Sequence, residues 1–477
     1  MRRTTCLGIL LLLAASGCTG AESAPTSSTS TEATVPVTSS TSIPAATSTS
    51  EAPPDPGPLP SVEAVVDYGG DGFDYAAAVA VAPDGGFVTS LDYRSSDSDN
   101  GDIVVLKHAA DGSLEWSRGW GGELEDTPLR NTVAVDESGA VHVAGVIYDT
   151  GTRQRDLVVF KSDPEGELLW QRAGLGIEGD QRPHVVAVGG DGSVYVGGHH
   201  DLQGVEGHDH IAMLLRFGPS GESMWQLGLA GDGSAETAYS GALDSEDNFV
   251  VAGTVGVAGE IDAVVVKVAP DGGVLWQRSW GMPGPPERAW DVVTDPDDNI
   301  YVSGPVVGIG NGGDATFVIK VDPDGNLVWA RTWTVSGNEV WGHGAAFDDG
   351  ALIVSGFIRT VAGDGVRLDD SGYLLGISSD GELLWQAAVG SRGIESIEGL
   401  EFLPGGALLA VGQGARNDLQ VVPLSGVWEP SDVALAETAL EVIALDLEFV
   451  DGYLEPQPGP AGPGSGADAV IIRLDLP

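Results

Sequence analysis

From residue 61 onward, short apolar runs alternate with clusters of turn residues, and the alternation itself repeats. In one unit the runs are 131–135, 141–145, 156–161 and 167–171, each rich in Val, Ala or Leu. Runs of this length, bounded by polar residues, predict β-strands and not helices. The first two are joined by Asp136-Glu137-Ser138-Gly139 and the last two by Asp163-Pro164-Glu165-Gly166, both tight-turn sequences that make antiparallel hairpins. A hexapeptide marks the last run of each unit, ending at Trp116, Trp170, Trp225, Trp276, Trp329 and Trp385, with a shortened copy at Trp428. The marks lie about fifty residues apart, and four antiparallel strands in a repeat of that length are the pattern of a propeller blade.

The apolar residues Leu114 and Trp116 are two apart and share one strand face, so burial against the next blade explains the tryptophan. All seven tryptophans of the register are therefore expected to dock blade on blade, with roughly 2 kcal/mol for each large side chain. The run 468–475 matches a third strand and ends without a fourth, while 61–70 matches a fourth strand together with the Gly-Gly that closes it. An N-terminal strand completing the last blade would remove both open sheet edges. Counting first-to-second-strand hairpins gives units near Ala76, Asn131, His184, Tyr239, Trp290, Trp341, Ile397 and Leu440. The expected architecture is all-β, a propeller of eight four-stranded blades over 61–477, with seven as the alternative.

Two segments precede it. Arg2 and Arg3 lead into an apolar run, 7–15, too short to span a bilayer and laid out as a secretory signal. It ends in Ala15-Ser16-Gly17-Cys18, which resembles the lipobox of bacterial lipoproteins. That resemblance implies cleavage after residue 17, acylation of Cys18, and an exported chain held to the outer membrane or cell surface by lipid. Residues 18–60 are almost entirely Ser, Thr, Ala, Pro and Glu, a disordered tether with a reach on the order of 35 Å. The chain's 2 cysteines are Cys6 and Cys18, so the propeller is held without disulfides.

With 22 Lys plus Arg against 70 Asp plus Glu, the chain carries a net charge of −48, which excludes nucleic acid as a natural partner. The acidity otherwise reads as a well-solvated exterior.

The units, such as 75–86 followed by 102–107, look like the β-propeller repeat of bacterial extracellular and lipid-anchored proteins. The Gly-x-x-x-Trp spacing, as in Gly112 to Trp116, is also similar to the tryptophan-docking motif of quinoprotein-like eight-bladed propellers. Some of those are dehydrogenases using pyrroloquinoline quinone and calcium, with a vicinal disulfide that this chain cannot form; others are scaffolding lipoproteins. The resemblance implies a fold and a surface location without assigning a reaction.

Asp-Gly turns occupy one rim of such a ring, and sequence variety is concentrated on the other, so a specific site is expected there or at the channel mouth. The loop 198–210 holds four of the 8 histidines. His199, His200, His208 and His210, with Asp201 and Asp209, form a candidate zinc, copper or nickel site. Asp97, Asp99, Asn100 and Asp102 offer oxygen ligands that partly mimic a calcium loop. Trp120, Trp280 and Trp333, each four residues beyond a docking tryptophan, together with Trp290 and Trp341, either pack around the channel or stack on a sugar or peptide. No nucleophile elbow, phosphate loop or zinc-protease helix occurs. The expectation is a monomeric, non-enzymatic binding or scaffolding module for a protein or glycan. The alternatives are a propeller enzyme of quinoprotein or carbohydrate-active type and a surface metal-binding protein.

Overall fold

The computed structural model describes residues 58–477 except 69–74, 95–100, 121–126, 150–153, 175–178, 202–209, 232–235, 258–259, 282–285, 309–312, 362–366, 391–393, 415–418, 432–435, 439, 446, 451–455 and 459–468. The lipobox, Cys18, the tether, most of the acidic loop at Asp97 and the pair His208 and Asp209 lie outside the described residues.

Each repeat folds as an antiparallel four-stranded sheet whose strands run in order from the channel outward. Blade 1 is Tyr75–Val81, Phe87–Arg94, Gly101–His108 and Leu114–Trp120; blade 2 is Thr127–Val135, Val141–Asp149, Gln154–Ser162 and Leu168–Ala173. Blades 3 to 6 begin at Gln181, Thr237, Asp291 and Asn338 in the same pattern. Blade 7 pairs Ile394–Phe402, Leu408–Gly414 and Ala469–Asp475 with the N-terminal strand Ser61–Tyr68, in the register Val62↔Leu474 and Val66↔Ile471. The chain ends thus share one blade, as the sequence implies.

The middle strands are apolar along their whole length because a neighbouring blade covers each face. Ile300–Val306 and Ala315–Val321 are buried at every position. Among the described residues there are seven apolar clusters, one at each blade-to-blade interface. The cluster of Tyr68, Leu409 and Ile471 with Leu91 and Val104 joins blade 7 to blade 1 and closes the ring.

The ring has seven blades, correcting the expectation of eight. The segment counted as an eighth unit around Leu440 is a belt. Leaving the second strand of blade 7, the chain adds a short outer strand to each earlier blade in reverse order. Gln420–Pro423 pairs with blade 6, Val427–Pro430 with blade 5, Ala436–Glu437 with blade 4 and Glu441–Ala444 with blade 3. Val450 bridges to Ala173 of blade 2, and Pro456–Pro458 pairs with blade 1 before the chain returns as the third strand of blade 7. These pieces are short and mostly exposed, Val427 and Val442 at 55% and 46%, and only single side chains such as Leu440 and Leu447 enter the clusters of the ring. They satisfy backbone groups that the outer strands would otherwise leave open.

The docking tryptophans fall where the repeat places them. The indole N–H of Trp116 donates to Pro164 O of the next blade's third-to-fourth turn at 2.8 Å, and Trp170, Trp225, Trp276 and Trp329 repeat the bond on Pro219, Pro270, Pro323 and Ser379. A left-handed glycine in that turn lies against the ring; at Gly325, φ +82, an added Cβ would meet Trp276 at 3.0 Å. Trp385 faces blade 7, where the chain ends replace that turn, and packs in the cluster of Val62, Leu474 and Leu476. Trp428 is not the outer strand of a blade of its own. It sits on the belt strand of blade 5 and donates to Gly381 O. Trp120, Trp280 and Trp333 are 0%, 3% and 0% exposed, so they pack and present no stacking face to solvent.

Candidate functional site

Every innermost strand starts on the rim opposite the Asp-Gly turns, and most carry a β-bulge near that start. An extra residue in a bulge leaves the ladder and turns its side chain toward the axis. In blade 3 the register passes from Pro183↔Gly198 to Val185↔Gly197, leaving His184 unpaired. Tyr239 and Glu398 are the extra residues of blades 4 and 7, and His343 with Gly344 those of blade 6. Blade 2 carries the largest bulge, residues 129–132, closed by a bond from Thr132 Oγ1 to Leu129 O and holding Asn131 at φ 54. The second strand makes room with a glycine: a Cβ on Gly198, Gly253, Gly356 or Gly412 would stand about 2 Å from a carbonyl oxygen of the innermost strand, and one on Gly304 as close to that of Arg288, just before it.

Blades 1 to 5 line the channel mouth, and blades 6 and 7 reach it through His343 and Glu398. Tyr75, Leu129, Arg130, His184, Tyr239, Arg288 and Trp290, all half-buried, line a cup of about 310 Å³. The Arg130 guanidinium lies 5.3 Å from the Trp290 ring and is ion-paired with Glu398, which is also 2.9 Å from His343 Nδ1. Burial pushes the Glu398 carboxyl up, but Arg130 and His343 outweigh it and hold the group well below the usual carboxylate range. Burial, then Arg130 and Arg182, bring His184 down to about 3, so its ring is neutral. His184 stands edge-on to Tyr239 at 5.4 Å, and Trp290 touches Trp341 at 5.3 Å and His343 at 4.8 Å. Trp341 is anchored from behind by its bond to Asp314 Oδ2. Among the described residues Arg288 has no ion pair, leaving its charge available to a ligand.

Below the cup a polar plug crosses the channel. Asn131 Nδ2 donates to Ser240 Oγ and to Asp291 Oδ1, each at 3.3 Å; Ser240 also donates to Asp291, and the Ala345 amide donates to its other oxygen at 2.6 Å. Burial nevertheless raises Asp291 to about 6, and burial together with Asp291 raises Glu401 to about 7. A larger hollow of about 380 Å³ opens on the opposite rim, lined by Asp244, Asp295, Asp298, Asp348 and Asp349. Asp244, Asp295 and Asp298 are already engaged there in turn bonds and buried ion pairs, so the mouth is the better candidate.

Of the sequence-predicted ligands, His199, Asp201 and His210 converge, with donor atoms all within 4.8 Å of one another. His200 alternates onto the other face of its strand and is 3% exposed. Sequence reasoning reached Trp290, Trp341 and the unit positions His184 and Tyr239, but missed Arg130, Arg288 and Glu398 as site residues. The recurring second-strand glycine was the available signal for the bulges.

No family model matches the chain, and no curated protein matches it. Solved structures to which the chain is similar include the acylaminoacyl peptidase of Pyrococcus horikoshii, 12% identical with a TM-score of 0.40 over 75% of this chain and 52% of that one. Sqt1 from Chaetomium thermophilum is 12% identical with a TM-score of 0.38, over 72% and 83% of the two chains. The polysaccharide lyase Uly1 is 10% identical with a TM-score of 0.36, over 87% and 99%. The chain spans about half the length of the peptidase.

Proposed function

We propose that this chain is an exported lipoprotein, acylated at Cys18, whose propeller stands off the membrane on the tether 18–60 and binds an acidic saccharide at its channel mouth. The observation that carries the reading is that Arg288 lines one cup of about 310 Å³ with Tyr239 and Trp290, beside an Arg130 already paired with Glu398. In a chain of net charge −48 this is a local site for a carboxylate beside aromatic faces. Aromatic rings stack on the apolar face of a sugar, and a guanidinium forks onto its carboxylate. The cup is at the lower end of ligand-pocket sizes, fitting one or two sugar rings. Attachment by lipid would present it at the cell envelope, where such polymers occur.

Calorimetry of the propeller with uronic-acid oligosaccharides and their neutral counterparts tests the reading. Binding of the acidic series alone, lost in Arg288→Ala and weakened in Trp290→Ala, is the expected result; equal or absent binding of both series refutes it. The carbohydrate-active alternative has one observation in its favour, the Tyr239 phenol edge-on to His184 on the wall of the cup. Shortened oligosaccharides after incubation would establish that version.

A further inference from the structure

Beside the cup, on blade 3, a second donor set is assembled from two adjacent strands. We infer that His199, Asp201 and His210 form a binding site for a divalent transition metal of the zinc, copper or nickel class, distinct from the saccharide cup. Val194–Asp201 and His210–Phe217 are antiparallel, with Asp201 directly opposite His210 at the last pair and His199 opposite Ala212. Residues two apart on a strand share a face, so His199 and Asp201 project together while His200 projects away. The cross-strand partner His210 projects on the same side as Asp201. The result is compact: Asp201 Oδ1 lies 3.1 Å from His210 Nδ1 and 3.6 Å from His199 Nε2.

The second ring nitrogen of His199 is already committed. Its Nδ1 lies 3.1 Å from His184 Nε2, and the two rings stack at 5.1 Å. A ligating histidine characteristically has its other nitrogen bonded to a supporting group, which fixes the ring and aims the free nitrogen at the ion. With Nδ1 engaged, Nε2 faces Asp201, where a metal would sit. Two imidazole nitrogens and one carboxylate oxygen suit the zinc–copper–nickel range, whereas calcium takes oxygen ligands. Three protein ligands leave a fourth position for water. His184 also walls the cup, so the metal would brace that wall, but the site does not depend on a saccharide being the cup's ligand.

The test uses the full chain with Cys6 and Cys18 replaced by serine, so that no thiol competes for metal. After chelator treatment it is titrated with zinc(II) in excess calcium and magnesium, which occupy the acidic surface, and in parallel with cobalt(II), whose visible absorption is intense only in tetrahedral sites. The expected result is one equivalent of zinc, an intense cobalt spectrum, and loss of both in His210→Ala and in Asp201→Asn. His184→Phe removes only the support and should weaken binding by about 10- to 100-fold. Asp111→Asn, a surface carboxylate, should leave the titration unchanged. An unaltered titration in His210→Ala, or a weak octahedral-type cobalt spectrum in the parent, overturns the assignment. No saccharide is present, so the outcome is independent of the cup's ligand.

Discussion

Single residues in this channel do two opposed things to carboxylates. Glu398 is held ionised by Arg130 and His343, whereas Asp291 and Glu401, farther from a cation, are pushed up to about 6 and about 7 by burial. For Glu401 the folded state keeps a proton that the unfolded chain has released between about pH 4.5 and 7. The folded protein therefore binds more protons in that window, and its contribution to stability falls as pH rises through it. Glu401→Gln removes the charge that burial penalises. The variant should exceed the parent by about 2 kcal/mol at pH 8 in urea unfolding, with the gap shrinking toward zero as pH approaches 4. A gap independent of pH would mean that Glu401 is not desolvated in the channel.

At the scale of the strand, five blades share a device that composition alone hid. A cation on the third strand reaches the aspartate of the first-to-second turn: Lys107 to Asp84 at 2.9 Å, Lys161 to Asp136 at 3.0 Å, Arg216 to Asp191 at 2.8 Å, Lys267 to Asp244 at 2.7 Å and Lys320 to Asp295 at 3.8 Å. In blade 4 the side chains are 7% and 1% exposed, and each is the other's ion-pair partner. Lys267→Met should cost about 3 to 5 kcal/mol because it strands Asp244, and adding Asp244→Asn should recover most of that loss. A double-variant loss equal to the sum of the losses in Lys267→Met and Asp244→Asn, read from denaturant midpoints, would show that the pair is not coupled. The Asp-Gly turns were legible in the sequence as turn chemistry. Their ion pairs were not, because a partner some 25 residues away stands out only once the hairpins are aligned.

The same contrast holds for the whole ring. The blade repeat, the tryptophan docking and the shared closing blade were readable because each rests on a local pattern: strand alternation, a glycine turn under an indole, a third strand lacking its fourth. The number of blades was not, because the belt borrows strand-like composition and supplies about one blade's length of chain. Its role depends on pairings with six blades already formed. Gln226, Gln277 and Gln386, each immediately after a docking tryptophan, clamp its backbone; Gln277 accepts from the Leu440 amide at 2.9 Å and donates to its carbonyl at 3.3 Å. The mouth was half legible: its aromatic residues fell at the unit positions, while Arg130 reaches it through a four-residue bulge that no strand pattern announces.

Seven blades close the ring, and the segment after blade 7's second strand runs outside it. Paired cysteines put this to the test at Thr334 on the outer strand of blade 5 and Val427 on the belt, which are register partners. In a chain with Cys6 and Cys18 changed to serine, a short thiol–thiol crosslinker should join the pair in the folded protein and not in urea. Free thiols persisting at both positions, with an efficient crosslink only after unfolding, would contradict the belt and with it the seven-bladed ring.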